Sequence, residues 1–293
     1  MRKGKVINTF ENKNINTQKL ANMMIGEHQE TNLTKQPLSF QETVLKVDNL
    51  VAKTINNISF QIKAGEILGI VGVDGNGQQE LVSVIMGLIK PHKGKIEYKN
   101  IDITNWTVEK IIKQLSIAHI PEDRKTMGLV SSLNVGQNLI LKKYYCYPFS
   151  KWKILQKKAI KIVENEAIHN FHIGGVEANI NVGKLSGGNQ QKIILARELS
   201  NNPQLIIAMQ PTRGLDINAT EYIQQQLLKA RENGSAILYV STELEEVRKM
   251  SDRLAIIYRG QFMDTINPNT DLEKIGLLMM GIKPTSCTFD KTG

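Results

Sequence analysis

Leu185-Ser186-Gly187-Gly188-Asn189-Gln190-Gln191-Lys192, continuing as Ile193-Ile194-Leu195-Ala196-Arg197-Glu198-Leu199, is the stretch on which the reading of this 293-residue chain turns. A serine and two glycines open an apolar helical run. The Ser186 hydroxyl and the N–H groups of Gly187 and Gly188 therefore stand at the positive end of a helix dipole. Such an end receives anions, phosphate groups above all.

Two other stretches carry matching chemistry. Upstream, the apolar run Ile67 to Val73 enters Gly72-Val73-Asp74-Gly75-Asn76-Gly77-Gln78-Gln79-Glu80 and then an apolar helix. Glycines at 72, 75 and 77 let the backbone turn its N–H groups inward around phosphate oxygens. A complete phosphate loop follows its last glycine with Lys and then Ser or Thr, the first reaching the β/γ-phosphates and the second holding Mg²⁺. Here those places are Gln78 and Gln79, so a merely tight strand-to-helix turn stays open as the alternative. Downstream, Leu205-Ile206-Ile207-Ala208-Met209 runs into Gln210-Pro211-Thr212-Arg213-Gly214-Leu215-Asp216.

Around these stretches the chain alternates. Strands are predicted at 44–50, 58–62, 66–73, 116–120, 204–209, 236–241 and 254–258, and helices at 79–88, 108–114, 152–169, 188–200 and 219–233. Such alternation implies an α/β fold with a mainly parallel sheet covered on both faces. The longest apolar stretches fall far short of the roughly 18 residues that span a bilayer. Cys146 and Cys287 lie far apart with no histidine pair nearby, so neither a disulfide framework nor a zinc site is indicated, and a reducing compartment fits. A net charge of +9 suits a nucleic-acid partner or an anionic membrane surface, but the lysines are scattered and only Lys151 to Lys161 is locally dense.

Taken together, the Leu-Ser-Gly-Gly-Asn-Gln-Gln-Lys segment, the glycine loop before it and the Gln-Pro-Thr-Arg-Gly-Leu-Asp segment after it resemble the ATP-binding cassette (ABC) ATPases of sugar and nucleoside importers, closest to the second cassette of the nucleoside group. That resemblance implies a P-loop NTPase fold of the ABC type, with an antiparallel β subdomain and a helical subdomain at about 124–185 inside a cassette spanning 44–293. It implies ATP-binding positions at Gly72, Gly75, Asn76, Gly77, Gln78, Gln79 and Glu80. The signature Leu185, Ser186, Gly187, Gly188, Asn189 and Gln190 would close over ATP held by a facing cassette. Glu122, in His119-Ile120-Pro121-Glu122-Asp123-Arg124, takes the Q-loop place, and Asp216 the D-loop place.

The same resemblance marks losses. Met209 stands where the family has the Walker B Asp, Gln210 where it has the catalytic Glu, and Thr242 where it has the switch His. With Gln78 and Gln79, these substitutions remove charged and Mg²⁺-binding groups from chemistry that is almost wholly electrostatic. No intact catalytic set and no metal ligands remain, so the chain is not expected to hydrolyse ATP alone. No aromatic residue between Val51 and Ser59 is placed to stack on adenine. ATP, with Mg²⁺, is expected at a partner cassette's site.

A repeat extends the picture. Arg2 to Thr9 resembles Tyr258 to Thr265, and Lys19 to Gly26 resembles Lys274 to Gly281, each pair a strand, a turn and a short helix ending at glycine. Residues 1–27 are thus expected to be the tail of a preceding homologous cassette, and 28–43 a linker. The implied partners are that cassette with intact Walker motifs, integral membrane permease subunits gripped through the 124–140 region, and an extracellular solute-binding protein acting through the permease. The implied place is the cytoplasmic face of the membrane. A sugar importer half, a non-functional fragment of a fused importer ATPase, and a non-transport cassette acting on nucleic acid are the alternatives, and no direct nucleic-acid contact is expected.

Overall fold

The computed structural model describes residues 35–36, 40, 42–177 and 179–283. The chain divides into the units Met1–Thr34 and Lys35–Gly293. The first lies wholly outside the described residues, and with it the expected tail at 1–27; so do most of 28–43, and Cys287.

In chain order the strands are β1 (Thr43–Ala52), β2 (Ile55–Lys63), β3 (Ile67–Val71), β4 (Lys93–Tyr98), β5 (Ile101–Asp102), β6 (Ile117–Ile120), β7 (Ser150–Lys151), β8 (Ile154–Leu155), β9 (Leu205–Met209), β10 (Ala236–Val240), β11 (Arg253–Tyr258) and β12 (Gln261–Ile266). The helices are α1 (Gln78–Ile85), α2 (Val108–Gln114), α3 (Val135–Leu139), α4 (Lys157–Asn170), α5 (Gly187–Leu199), α6 (Ile217–Glu232), α7 (Leu244–Met250) and α8 (Leu272–Met279). A π-helical turn at Arg124–Gly128 is capped by the Asp123 side chain.

The expected α/β architecture is present. A six-stranded sheet runs β12-β11-β3-β10-β9-β6, parallel throughout except for β12. Every residue of β3, β9 and β10 is buried, which is why these segments read as continuous apolar runs rather than alternating ones. A second, antiparallel sheet runs β2-β1-β4-β5. One apolar core spans both, with Leu45, Ile58, Leu68, Ile70, Leu81 and Leu238 fully buried.

A buried ion pair ties the far end of α6 to the turn before β11. Arg231, 1% exposed at its side chain, meets Asp252 at 3.0 Å and also donates to the Gln36 carbonyl at 2.8 Å. Removing one partner of such a pair costs about 3–5 kcal/mol, because the other charge stays buried.

One helix boundary differs from expectation. The helix predicted at 152–169 begins only at Lys157, and residues 150–155 form the β7–β8 hairpin instead. Trp152 and Lys153 are its two turn residues, with φ of 56° and 61°. A two-residue hairpin turn of this kind normally recruits Asn-Gly, so sequence gave no turn signal here.

Candidate nucleotide site and signature face

The carboxyl ends of β3, β9 and β10 lie side by side, Ile70 beside Val240 and Val240 beside Met209. The loops leaving them bring Gly72, Asp74, Gln210, Arg213 and Thr242 around one open cavity of about 820 Å³. Crevices at the carboxyl ends of parallel strands are where open α/β sheets bind ligands.

At the β3–α1 loop the backbone has the shape a phosphate loop needs. Gly77 sits at φ 106°, and a Cβ there would lie 3.0 Å from Ile55 Cδ1 and 3.3 Å from Gly260 Cα, so both conformation and space demand glycine. Asn76 fixes the loop: its Nδ2 donates to the Val73 carbonyl at 2.9 Å, and its Oδ1 accepts from Arg259 N at 2.8 Å. Gln78 is buried, and its Nε2 also donates to the Val73 carbonyl, at 3.0 Å. The side chain where the pattern needs a lysine thus folds back onto its own loop. Gln79 is exposed and Glu80 partly so.

Across the cavity the remaining substituted positions meet. Met209 ends β9, buried and apolar. Gln210 follows at φ 45°, held by its N–H donating to the Val240 carbonyl at 2.7 Å. Its Oε1 accepts from Thr242 Oγ1 at 3.3 Å, and its Nε2 makes a long contact of 3.5 Å with Glu122 Oε1. Glu122 is also ion-paired with Arg213. The structure therefore brings Glu122, Gln210 and Thr242 together in one hydrogen-bonded set.

This donor chemistry fits phosphate better than metal. The glycine-shaped backbone and the first turn of α1, whose cap Gly77 makes no side-chain hydrogen bond, leave N–H groups available to an anion. For Mg²⁺, which wants carboxylate and water oxygens, the two positions where the pattern puts its ligands offer the Gln79 amide and the Met209 thioether. Among the described residues no cluster of three His, Cys, Asp or Glu side chains could hold a metal ion. The residues at this site do not fit Mg²⁺.

The signature segment has a different character. Ser186 caps α5, and its Oγ accepts from Asn189 N at 3.4 Å and from Asn189 Nδ2 at 3.1 Å. A serine hydroxyl has two acceptor sites and one proton. With these two contacts accepted by its oxygen, the O–H of exposed Ser186 remains available as a donor. Asn189 is itself locked, its Oδ1 accepting from Gly174 N at 2.9 Å. Gln190 Nε2 donates to the carbonyls of Val182 and Leu185, and Gln191 Nε2 to that of Pro211 at 2.8 Å. Leu185 is buried. Asp216 caps α6, accepting from Ala219 N at 2.8 Å.

Three contributors were not read as site residues from the sequence. Arg124 reaches over the start of α5: a Cβ on Gly187 would come within 2.9 Å of its Nη2, while its Nη1 donates to the Arg213 carbonyl at 2.9 Å. Its Nε is buried without a hydrogen-bond partner. Glu246 on α7 accepts from Thr212 Oγ1 (2.5 Å), Gln224 Nε2 (3.0 Å), Tyr239 OH (2.7 Å) and Ser241 Oγ (3.1 Å), joining β9, α6 and β10 beneath the cavity. Burial, then the Glu246 charge, pushes the Tyr239 phenol well up. Glu198, at the far end of α5, accepts from His119 N at 2.9 Å, Lys142 at 2.5 Å and Arg197 at 2.9 Å. Burial alone would raise its carboxyl, but Lys142 and Arg197 together hold it below the usual carboxylate range. The only hint of Glu198 in the sequence was a charge amid an apolar helix.

Comparison with known proteins identifies the family and the fold. The family model for the ABC transporter matches residues 55–213. The nucleoside import ATP-binding protein NupA of Lactococcus lactis subsp. cremoris is 41% identical over 288 residues, which are 96% of this chain and 57% of that protein. The guanosine import ATP-binding protein NupO of Bacillus subtilis is 39% identical over 288 residues, 96% of this chain and 56% of that protein. The chain thus spans little more than half the length of these curated relatives. A crystal structure of a nucleotide-free ATP-binding cassette from an ABC transporter superposes with a TM-score of 0.67 at 21% identity, covering 80% of this chain and 95% of that one. No helix among the described residues is long and apolar enough to cross a membrane.

Proposed function

This chain belongs to the ABC transporter family, and from that premise we propose that it is the ATP-binding half of an importer whose α5 end completes an ATP site on a partner cassette, while its own site is unfit for hydrolysis. The solute proposed is a nucleoside, because both curated relatives named above carry nucleoside or guanosine import in their names. The length of those relatives beyond the matched part leaves room for a second cassette. Residues 1–27 are proposed to close that preceding cassette. Permease subunits in the membrane, and a solute-binding protein acting through them, complete the proposed assembly.

One contrast carries the reading. At the start of α5, the Ser186 oxygen accepts from Asn189 and its O–H is available to donate, beside two glycine amides and the Arg124 guanidinium. Preorganised donors of this kind act on developing phosphate charge without reorganising. At its own loop, Gln78 is spent on the Val73 carbonyl, and the positions a Mg²⁺ ligand and a water-orienting carboxylate would take are Met209 and Gln210. Phosphoryl transfer is driven mostly by positioning and charge stabilisation, so the first end assists and the second cannot.

The test is reconstitution. Purified alone, the chain is expected to show no Mg²⁺-ATPase activity above background. Mixed with a cassette that keeps the Lys-Ser/Thr and Asp-Glu pairs, it is expected to raise that cassette's turnover, and Ser186→Ala is expected to remove on the order of a hundredfold of the stimulated rate. Robust turnover by the isolated chain, or stimulation indifferent to Ser186→Ala, overturns the reading.

A further inference from the structure

The densest lysine run in the sequence has no part in the site described above, and the structure places it beside the most exposed apolar side chains among the described residues. The β7–β8 hairpin presents Trp152 at its tip, 87% exposed, with Ile154 behind it at 67%. Tyr147, at 86%, precedes the hairpin, with Tyr144 and Tyr145 also exposed and stacked edge to face. Between residues 142 and 161 the chain has seven lysines and no Asp or Glu. Lys142 is taken by Glu198 and Lys161 by Glu164. Lys151, Lys153, Lys157 and Lys158 are exposed and make no ion pair among the described residues.

Neither half of this patch is explained by the fold. Trp152 and Lys153 both occupy left-handed backbone, at φ 56° and 61°, where Asn-Gly would turn the chain with less strain. Lys157 and Lys158 sit in the first turn of α4, which has no acidic residue there, so their charges oppose the helix dipole. A lysine-covered face that merely keeps a helix soluble would not surround its cations with exposed tryptophan and tyrosine. Aromatic side chains with an apolar body and a polar edge, interleaved with free lysines, are the composition that settles at a lipid headgroup layer. Apolar insertion and attraction to anionic lipid are the two signals that together make a surface association stable.

We propose that the β7–β8 hairpin, with Tyr144, Tyr147 and the start of α4, is a contact surface for anionic phospholipid. The charge decides for lipid against a protein groove, since a run of free cations without a single carboxylate complements a continuous anionic surface. This goes beyond the importer reading, because a cassette held by a permease needs no lipid contact of its own.

The experiment uses the full chain and permease-free vesicles, so its failure leaves the importer reading standing. The protein is sedimented with phosphatidylcholine vesicles, and with vesicles in which roughly a third of the lipid is phosphatidylglycerol. The chain has two tryptophans, and Trp106 is already packed against the core, so emission changes report Trp152. The expected result is binding to the anionic vesicles alone, a blue shift of emission, and quenching by bromine-labelled acyl chains. Trp152→Ser, at an exposed turn, is expected to keep the far-UV spectrum and thermal midpoint and to weaken binding at least tenfold. Lys151→Gln with Lys153→Gln is expected to abolish the anionic preference. Equal binding to neutral vesicles, unshifted emission, variants that bind like the wild type, or salt-sensitive capture by RNA in place of vesicles would each overturn the proposal.

Discussion

Gln210 is the residue at which the substituted site closes on itself, joined to Thr242 on one side and touching Glu122 on the other. Restoring a carboxylate there is not expected to restore a catalyst. Gln210→Glu would set a second negative charge against Glu122, which is served by Arg213 alone, with Met209, Gln78 and Gln79 still unchanged. The expected outcome is no gain in ATPase activity and a loss of about 1 kcal/mol of stability, read from the urea midpoint against wild type. Tyr222 makes the opposite case. Its phenol oxygen is buried without a partner, and burial pushes its pKa up to about 12. Tyr222→Phe removes a desolvated hydroxyl and is expected to raise stability by about 1 kcal/mol by the same measurement. The glutamine substitutions were legible in the sequence because the motifs fix their spacing. The hydroxyl of Tyr222 was not, since its isolation depends on what packs around α6.

Helix α5 is more than a support for its first turn. Its far end carries Glu198, which gathers the backbone of β6 through His119, Lys142 beyond α3, and Arg197, whose Nη1 reaches the Gly128 carbonyl at 2.8 Å. A rigid helix thus runs from the signature serine to the turn that follows Glu122. Glu198→Gln leaves Lys142 and Arg197 without their common anion, and an expected loss of about 3 kcal/mol should appear in urea unfolding. Apolar strand runs and glycine-bounded helices were readable because burial imposes their period. Helix α3 and helix α7 were not read: α3 spans five residues, too short for a period to show, and α7 starts after Glu243 with no side-chain cap, unlike the equally short α2 with its Thr107 cap. Helix α4 was read five residues too long at its start, because Trp152 to Gln156 contain no Gly or Pro to mark the hairpin turn.

Across the whole molecule, the Glu198 assembly predicts how stability follows pH. Burial, reinforced by the Lys142 charge, pulls the His119 imidazole down to about 4 from 6.5. The folded chain then refuses a proton that the unfolded chain accepts throughout that interval. Stability rises with pH wherever the unfolded state binds more protons, so the contribution of neutral His119 is complete above pH 6.5 and is lost as pH falls towards 4. Integrated over the interval, the loss is on the order of 3 kcal/mol. Glu198 acts in the same direction but later: its carboxyl is held below the ordinary range, so its contribution is complete above that range and is lost as pH falls through it towards the lowered value. Acid should therefore weaken the fold in two stages, the imidazole first and the carboxylate afterwards. Urea unfolding followed from pH 7.5 to 3.5 should show the first stage, and His119→Gln should flatten the curve above pH 4 while leaving the later fall in place. An unchanged slope between pH 6.5 and 4 in that variant would assign the acid sensitivity to groups outside this assembly.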